Sequence, residues 1–402
     1  MQFERKDLIK VIFPIILIQG LLAFLGGIVR LTAHNIQDSG IIPPQFEANH
    51  PELVIYSFFA LLIMFERWQG ISIYENRPKF FTEPFLFLMI IGTLLLTFST
   101  GLGSQSDYYL DIKQLAWILI FVSILWFLLI QIWFLIKYPA YFATTFFLIL
   151  GYGLLEANVI AILLEIIRYD FGIIYIASIA IIILGERIDL AQIGAHYSKK
   201  GKNAIPILVF LGFGFFITAL IALFLDIKIV FQLSFIFMAI YTIILLFYDI
   251  TLYSVPDETP IRTFQKWGLR GGYIWLLFGI FLLEINSEIY HILTQSSAVH
   301  AIALGFIITM LLSHAPIILP SLIYQPFITR IFGGLWWLIL FWGLIAIRVG
   351  GNLLFVIFEI DISLYIELTG YLSIPVILGY LIALIYEMRK NVKMGNKIIG
   401  NL

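Results

Sequence analysis

The stretch that decides the fold class is residues 114–136, QLAWILIFVSILWFLLIQIWFLI, which contains no charged residue and lies between Lys113 and Lys137. About 20 predominantly apolar residues are enough for a helix to cross the hydrocarbon core of a bilayer. The apolar run is continuous and does not alternate with polar residues, which favours a helix over a strand of a membrane β-barrel. The sequence therefore predicts a transmembrane helix here.

Comparable apolar runs follow one another along the whole chain. Hydrophobic residues make up 61% of the 402 residues and charged residues 12%, whereas soluble domains contain about 25% charged residues. We predict an all-α polytopic membrane protein with about 12 transmembrane helices, forming a single transmembrane domain over residues 1–402. The predicted helices are residues 8–32, 52–73, 84–101, 114–136, 139–166, 171–190, 204–225, 228–252, 270–292, 297–318, 331–358 and 362–388.

The few charged residues predict the orientation and exclude several classes of site. With the N-terminus inside, 19 of the 24 Lys and Arg residues fall on the inner side and 4 on the outer side, which follows the positive-inside rule. We expect a multi-pass protein of the cell membrane with both termini cytoplasmic and the lipid bilayer as its partner. The net charge of −1 gives no basic surface for nucleic acid. The absence of cysteine excludes disulfides, thiolate metal sites and iron–sulfur clusters.

The sequence contains a weak internal repeat. The segments that end in Glu66-Arg67 and Glu186-Arg187 lie 120 residues apart, and a third similar segment ends at His314. Three pseudo-repeats of four helices, near residues 1–137, 138–252 and 253–402, would explain this spacing. For the Glu-Arg pairs themselves, we prefer the interpretation as ordinary interfacial charge at two helix ends. Three blocks of four helices also occur in the catalytic subunit of haem–copper oxidases, whereas many secondary transporters have two blocks of six.

Four of the six histidines fall at the predicted outer ends of helices. His34 is expected just beyond the first helix, His50 at the start of the second, His291 at the end of the ninth and His300 at the start of the tenth. Neutral imidazole suits haem iron or copper, so all four are candidate metal ligands. His50 and His300 are the preferred pair. The alternative is that each imidazole only makes hydrogen bonds at the level of the lipid headgroups.

Arg348 lies inside the eleventh predicted helix, at the depth of His50 and His300. A guanidinium buried in a membrane needs an anion, and a haem propionate is a good bidentate partner. An ion pair of Arg348 with Glu156 or Glu284 is the alternative.

The ninth predicted helix carries Glu284, Glu288 and His291 at a spacing that places them on one face. This stripe contains only half of the carboxylate–histidine pattern of a di-iron bundle. We interpret it as a polar helix end.

Two short segments resemble the NnrS family, namely residues 49–60, NHPELVIYSFFA, and residues 298–310, AVHAIALGFIITM. Members of that family are twelve-span membrane proteins that bind haem and copper and are associated with nitric oxide metabolism. The resemblance implies b-type haem and copper as cofactors, with His50 and His300 among the ligands. It also implies a role in nitric oxide or related redox handling, or in electron transfer with a redox partner in the membrane.

Two functions of other classes stay open. A secondary transporter or channel would use Glu156, Glu284 and Arg348 as a substrate or proton pathway. A non-catalytic membrane subunit would instead anchor the other subunits of a larger complex. The chain contains no Walker loop, no nucleophile elbow and no dinucleotide-binding glycine motif, so the corresponding enzyme classes have no support.

Overall fold

The computed structural model confirms the predicted all-α polytopic membrane fold. It describes residues 5–36, 49–74, 83–102, 108–139, 142–166, 171–195, 199–225, 227–249, 252, 259–285, 291–322, 328, 330–358 and 363–399. These residues form twelve helices: α1 (Arg5–Ile36), α2 (50–74), α3 (Pro84–Leu102), α4 (Tyr109–Lys137), α5 (Phe142–Leu163), α6 (Phe171–Ala195), α7 (Lys199–Leu225), α8 (Lys228–Tyr248), α9 (Pro260–Glu284), α10 (291–322), α11 (Trp336–Phe358) and α12 (Ser363–Ile399). Within them, ten helices, all except α6 and α9, are long and apolar enough to cross a membrane.

The boundaries of α9 and α10 differ from the predicted ones. α9 begins at Pro260 and ends at Glu284, and α10 begins at His291. Thr259 is extended and Pro260 occupies the first turn, where a proline fits because that turn needs no backbone N–H bond. The prediction that Glu284, Glu288 and His291 share one face of one helix is therefore wrong. Glu288 itself lies outside the described residues.

Two predicted histidine positions are also corrected. α1 continues to Ile36, so His34 lies in its last turn and not beyond its end. Because α10 begins at His291, His300 lies inside this helix and not at its start. The predicted position of His50 at the start of the second helix is confirmed, since His50 is the first residue of α2.

The chain forms two compact units. Unit 1 comprises Met1–Asp189 and Ile207–Met238, and unit 2 comprises Leu190–Pro206 and Ala239–Leu402. Helices α1 to α5 therefore lie wholly in unit 1, and helices α9 to α12 lie wholly in unit 2. The single domain and the three pseudo-repeats stay predictions.

Both α2 and α10 contain a π-helical segment, Leu53–Ala60 in α2 and Ala301–Ile308 in α10, each of 8 residues. The first segment begins three residues after His50, and the second begins directly after His300. π-Helical turns are rare and are frequent at functional sites. This shared position supports the predicted correspondence of α2 with α10, whereas α6 is α-helical throughout Phe171–Ala195.

Two buried tyrosines attach the π-helical segment of α2 to α5 within unit 1. The Tyr56 hydroxyl donates to the carbonyl oxygen of Leu155 at 3.2 Å, and the Tyr152 hydroxyl donates to the carbonyl oxygen of Ala60 at 2.7 Å. Both side chains are fully buried, so the two bonds form away from competing water. They fix the segment that follows His50 against a neighbouring helix.

The two repeated Glu-Arg endings meet in unit 1. Nη2 of Arg67 on α2 lies 2.7 Å from Oε1 of Glu186 on α6. The repeat that the sequence shows at these positions therefore places opposite charges on helices that pack together. Reading each pair only as interfacial charge missed this contact, because nothing in the sequence indicates that the two helix ends are neighbours.

Candidate histidine sites in the two units

His50 is held in unit 1 by a bond to α1. Its Nδ1 lies 2.8 Å from the carbonyl oxygen of Ala23. A carbonyl oxygen only accepts hydrogen bonds, so Nδ1 carries the proton and donates it. In the neutral ring Nε2 is then the nitrogen with the lone pair, which is the form that binds a metal.

The imidazole ring of His50 occupies the space beside Gly27 of α1. A Cβ atom on residue 27 would lie 2.6 Å from Cε1 and 2.9 Å from Nε2 of His50. Carbon atoms do not approach so closely without a shift of the ring. A glycine at this position is therefore what allows the histidine to pack against α1.

A lysine lies next to the His50 site. The Asn49 side chain donates to Oγ1 of Thr100 on α3 at 3.2 Å, and Nζ of Lys113 on α4 donates to Oδ1 of Asn49 at 2.9 Å. Lys113 also donates to the Tyr109 hydroxyl at 3.2 Å. The sequence indicates Lys113 only as one of the outer positive charges. Its position beside Asn49 could not be predicted, because it depends on the packing of α4 against α2.

His300 has a similar arrangement in unit 2. Its Nδ1 lies 2.7 Å from the carbonyl oxygen of Ser296, one turn earlier in α10, so Nε2 again carries the lone pair of the neutral ring. His314 makes the same kind of bond to Met310, also at 2.7 Å. The carbonyl bond alone is therefore not specific, and the adjacent π-helical segment is what distinguishes His300 from His314.

Arg348 lies at the same level of unit 2 as His300. Helices α10 and α11 run antiparallel, since Ser297 donates to the carbonyl oxygen of Val349 at 3.4 Å and Trp342 donates to Thr309 at 3.2 Å. At a rise of 1.5 Å per residue, His300 and Arg348 are then only about 3 Å apart along the helix axes. The structure thus brings these two predicted residues to one end of the unit.

Glu284 lies at this end of unit 2 as well. α9 packs antiparallel against α10, because Gly268 meets Ser313 and Gly279 meets Ala298. Glu284, the last residue of α9, is therefore near the first turns of α10. Its Oε1 is enclosed and has no hydrogen-bond partner among the described residues.

The other predicted residues are separated or lie outside the description. The side chains of His34 and His291 fall outside the described residues. Glu156 is in unit 1, whereas Glu284 and Arg348 are in unit 2. Within the part of the chain that the structure describes, no three His, Asp or Glu side chains are grouped so that they could hold a metal ion.

Comparison with known protein families identifies the family of this chain. The family described as a domain of unknown function, DUF8744, matches residues 9–386. The chain belongs to the DUF8744 family. The match includes His50, His300 and Arg348, so these candidate residues all lie within the DUF8744 region. No curated protein and no solved structure matches the chain.

Proposed function

We propose that the chain is an integral membrane protein that binds b-type haem, with His50 as the ligand in unit 1 and His300 as the ligand in unit 2. Its role is the handling of nitric oxide or a related small oxidant, or electron transfer with a redox partner in the membrane. The observation that carries the proposal is an arrangement that the described residues show in both units. A histidine donates from Nδ1 to a backbone carbonyl and is followed by a π-helical segment. The connection with nitric oxide rests on the resemblance of residues 49–60 and 298–310 to the NnrS family.

The donor chemistry of the two histidines fits a haem iron. Histidines that bind metals usually donate their other ring N–H to a carbonyl or carboxylate, which orients the ring and selects the coordinating nitrogen. His50 and His300 both have that partner. Bound haem would supply a redox-active iron that takes up small diatomic molecules.

Each histidine also has a cation at its level that suits a haem propionate. Lys113 lies beside Asn49 in unit 1, and Arg348 lies level with His300 in unit 2. Hydrogen bonds between cationic side chains and carboxylates are roughly twice as strong as neutral ones. Each cation would pair with a propionate of the haem that the histidine of its own unit binds.

Copper is a second cofactor in this proposal, with His34 as a further candidate ligand in unit 1 and His291 in unit 2. The described residues contain no group of three metal-binding side chains. A haem needs only one or two protein ligands, so it fits the described donors more closely than a copper centre does.

The test is an optical difference spectrum of membranes from cells that overproduce the chain. Reduction with dithionite is expected to give the Soret and α bands of b-type haem above those of a vector control. Nitric oxide is expected to shift these bands if the iron handles it, whereas unshifted bands would favour electron transfer. Spectra equal to the vector control would contradict the proposal.

Replacing Arg348 by methionine is expected to weaken haem retention about tenfold, because one charge-assisted hydrogen bond of about 1.4 kcal/mol is lost. Transfer of haem from the purified protein to apomyoglobin measures this change. Arg348→Lys should weaken haem retention less than Arg348→Met does, because lysine keeps the positive charge. Arg330→Met is the matched control, since Arg330 is an exposed arginine of the same unit. If Arg348→Met and Arg330→Met retain haem equally well, Arg348 does not bind a haem propionate.

The proposal also places both termini in the cytoplasm, with residues 33–51 outside and residues 191–203 inside. Because the chain contains no cysteine, single cysteines can report the side directly. A membrane-impermeant maleimide should label Ser39→Cys in intact cells and should label Ser198→Cys only after lysis. The reverse pattern would show that the orientation is inverted.

A further inference from the structure

A buried carboxyl group in unit 1 takes no part in the histidine arrangement. Glu156 lies on α5, about two turns before the end of that helix at Leu163. The residue is 7% exposed. Both of its carboxyl oxygens are enclosed, and neither has a hydrogen-bond partner among the described residues.

The Tyr56 side chain connects Glu156 with the neighbouring helices. Its hydroxyl bonds to the carbonyl of Leu155, the residue before Glu156, and lies close enough to the Glu156 carboxyl group for electrostatic interaction. The Tyr56 ring packs edge-on against Trp117 of α4 at a centroid distance of 5.2 Å, and against Tyr175 of α6 at 5.6 Å. Nε1 of Trp117 is also enclosed and has no hydrogen-bond partner in the described part of the chain.

The surroundings of Glu156 disfavour a negative charge. The next residue, Ala157, belongs to an apolar cluster with Ile174 and Leu223. An ionised carboxylate that is buried without a partner costs far more than a neutral acid, so such a group takes up a proton. Acidic residues inside membrane spans commonly mark the paths of protons or ions.

We propose that Glu156, next to the residue whose carbonyl oxygen Tyr56 binds, forms a proton-binding site inside unit 1. Glu156 holds the proton on its carboxyl group at neutral pH. Uptake converts the carboxylate to the carboxylic acid and needs no reactant other than the proton. The site therefore holds one bound proton within unit 1.

A proton suits this site better than a metal cation does. Calcium takes six to eight oxygen ligands, whereas the described residues of this region offer the two Glu156 oxygens, the Tyr56 hydroxyl and the Leu155 carbonyl oxygen. Among the described residues, Glu52 of α2 and Tyr175 of α6 also interact electrostatically with Tyr56. Neither carries a positive charge, so neither would stabilise a carboxylate on Glu156.

Infrared spectroscopy of the purified protein in lipid nanodiscs tests this inference. The wild type at neutral pH should show the C=O stretching band of a protonated carboxylic acid, and this band should move to lower frequency in heavy water. Glu156→Gln should remove the component of this band that the Glu156 carboxyl group contributes. The matched control Glu165→Gln changes an exposed glutamate just after α5 and should leave the band unchanged.

A second variant keeps the test decisive if Glu156→Gln does not fold. Tyr56→Phe retains the ring packing and removes only the hydroxyl, so it should shift the band without abolishing it. The inference is overturned if the wild type lacks the band, or if neither variant changes it. It is also overturned if sodium or potassium chloride abolishes the band, because the site then takes a metal cation. The result does not depend on haem, since His50→Ala should leave the band in place.

Discussion

Replacing His50 or His300 by alanine is expected to reduce retention of the haem that this histidine binds at least about tenfold, since one coordinate bond to iron is lost. Each histidine has its Nδ1 bonded to a backbone carbonyl and precedes a π-helical segment. Added imidazole should restore the haem content and its absorption spectrum, because the free ligand fills the space that the side chain leaves. This rescue separates a ligand from a residue that only maintains the fold.

His314→Ala is the matched control for this experiment. His314 lies on the same helix as His300 and makes the same 2.7 Å bond from Nδ1 to a carbonyl one turn earlier, but no π-helical segment follows it. We expect its variant to keep the wild-type haem content. If all three alanine variants behave alike, the assignment of His50 and His300 as the ligands fails.

Replacing Gly27 by leucine is expected to reduce the haem content about as strongly as His50→Ala does. A Cβ on residue 27 would lie 2.6 Å from Cε1 of His50, so a larger side chain displaces the ring and breaks its bond to the Ala23 carbonyl. A well-packed interior cannot absorb such a group without a shift. The effect is measured by the haem content per purified chain and by the absorption spectrum of the haem.

Gly101→Leu controls for the general cost of a larger residue at a helix glycine. Gly101 lies in α3, and a Cβ there would meet nothing within 4 Å. We expect this variant to keep its haem. If Gly27→Leu also keeps its full haem content, then the position of the His50 ring against α1 does not matter for binding.

The transmembrane fold could be predicted because hydrophobicity alone determines most of it. The run 114–136 lies within α4, which extends from Tyr109 to Lys137, and the bilayer length requirement finds such segments without knowledge of packing. α9 was misplaced because its first half carries Arg262, Lys266 and Arg270. A prediction from hydropathy assigns such a charged segment to a loop. The helix nevertheless begins at Pro260, which occupies its first turn.

The site was only partly predictable. Residue type and predicted position at helix ends indicated His50 and His300 as candidates, although His300 in fact lies inside α10. The π-helical segments could not be found in this way, because π-helical hydrogen bonding leaves no local sequence pattern and here accompanies the packing of α2 against α5 through Tyr56 and Tyr152. The position of Lys113 beside Asn49 likewise depends on contacts between helices that are distant in sequence.

The most direct measurement of the central claim is the absorption spectrum of the detergent-purified wild-type protein, combined with elemental analysis of the same sample. Binding of haem through His50 and His300 predicts a Soret band together with iron in stoichiometric proportion to the chain. A preparation that is folded, as judged by its helical circular dichroism, but has no Soret band and contains neither iron nor copper would contradict the account.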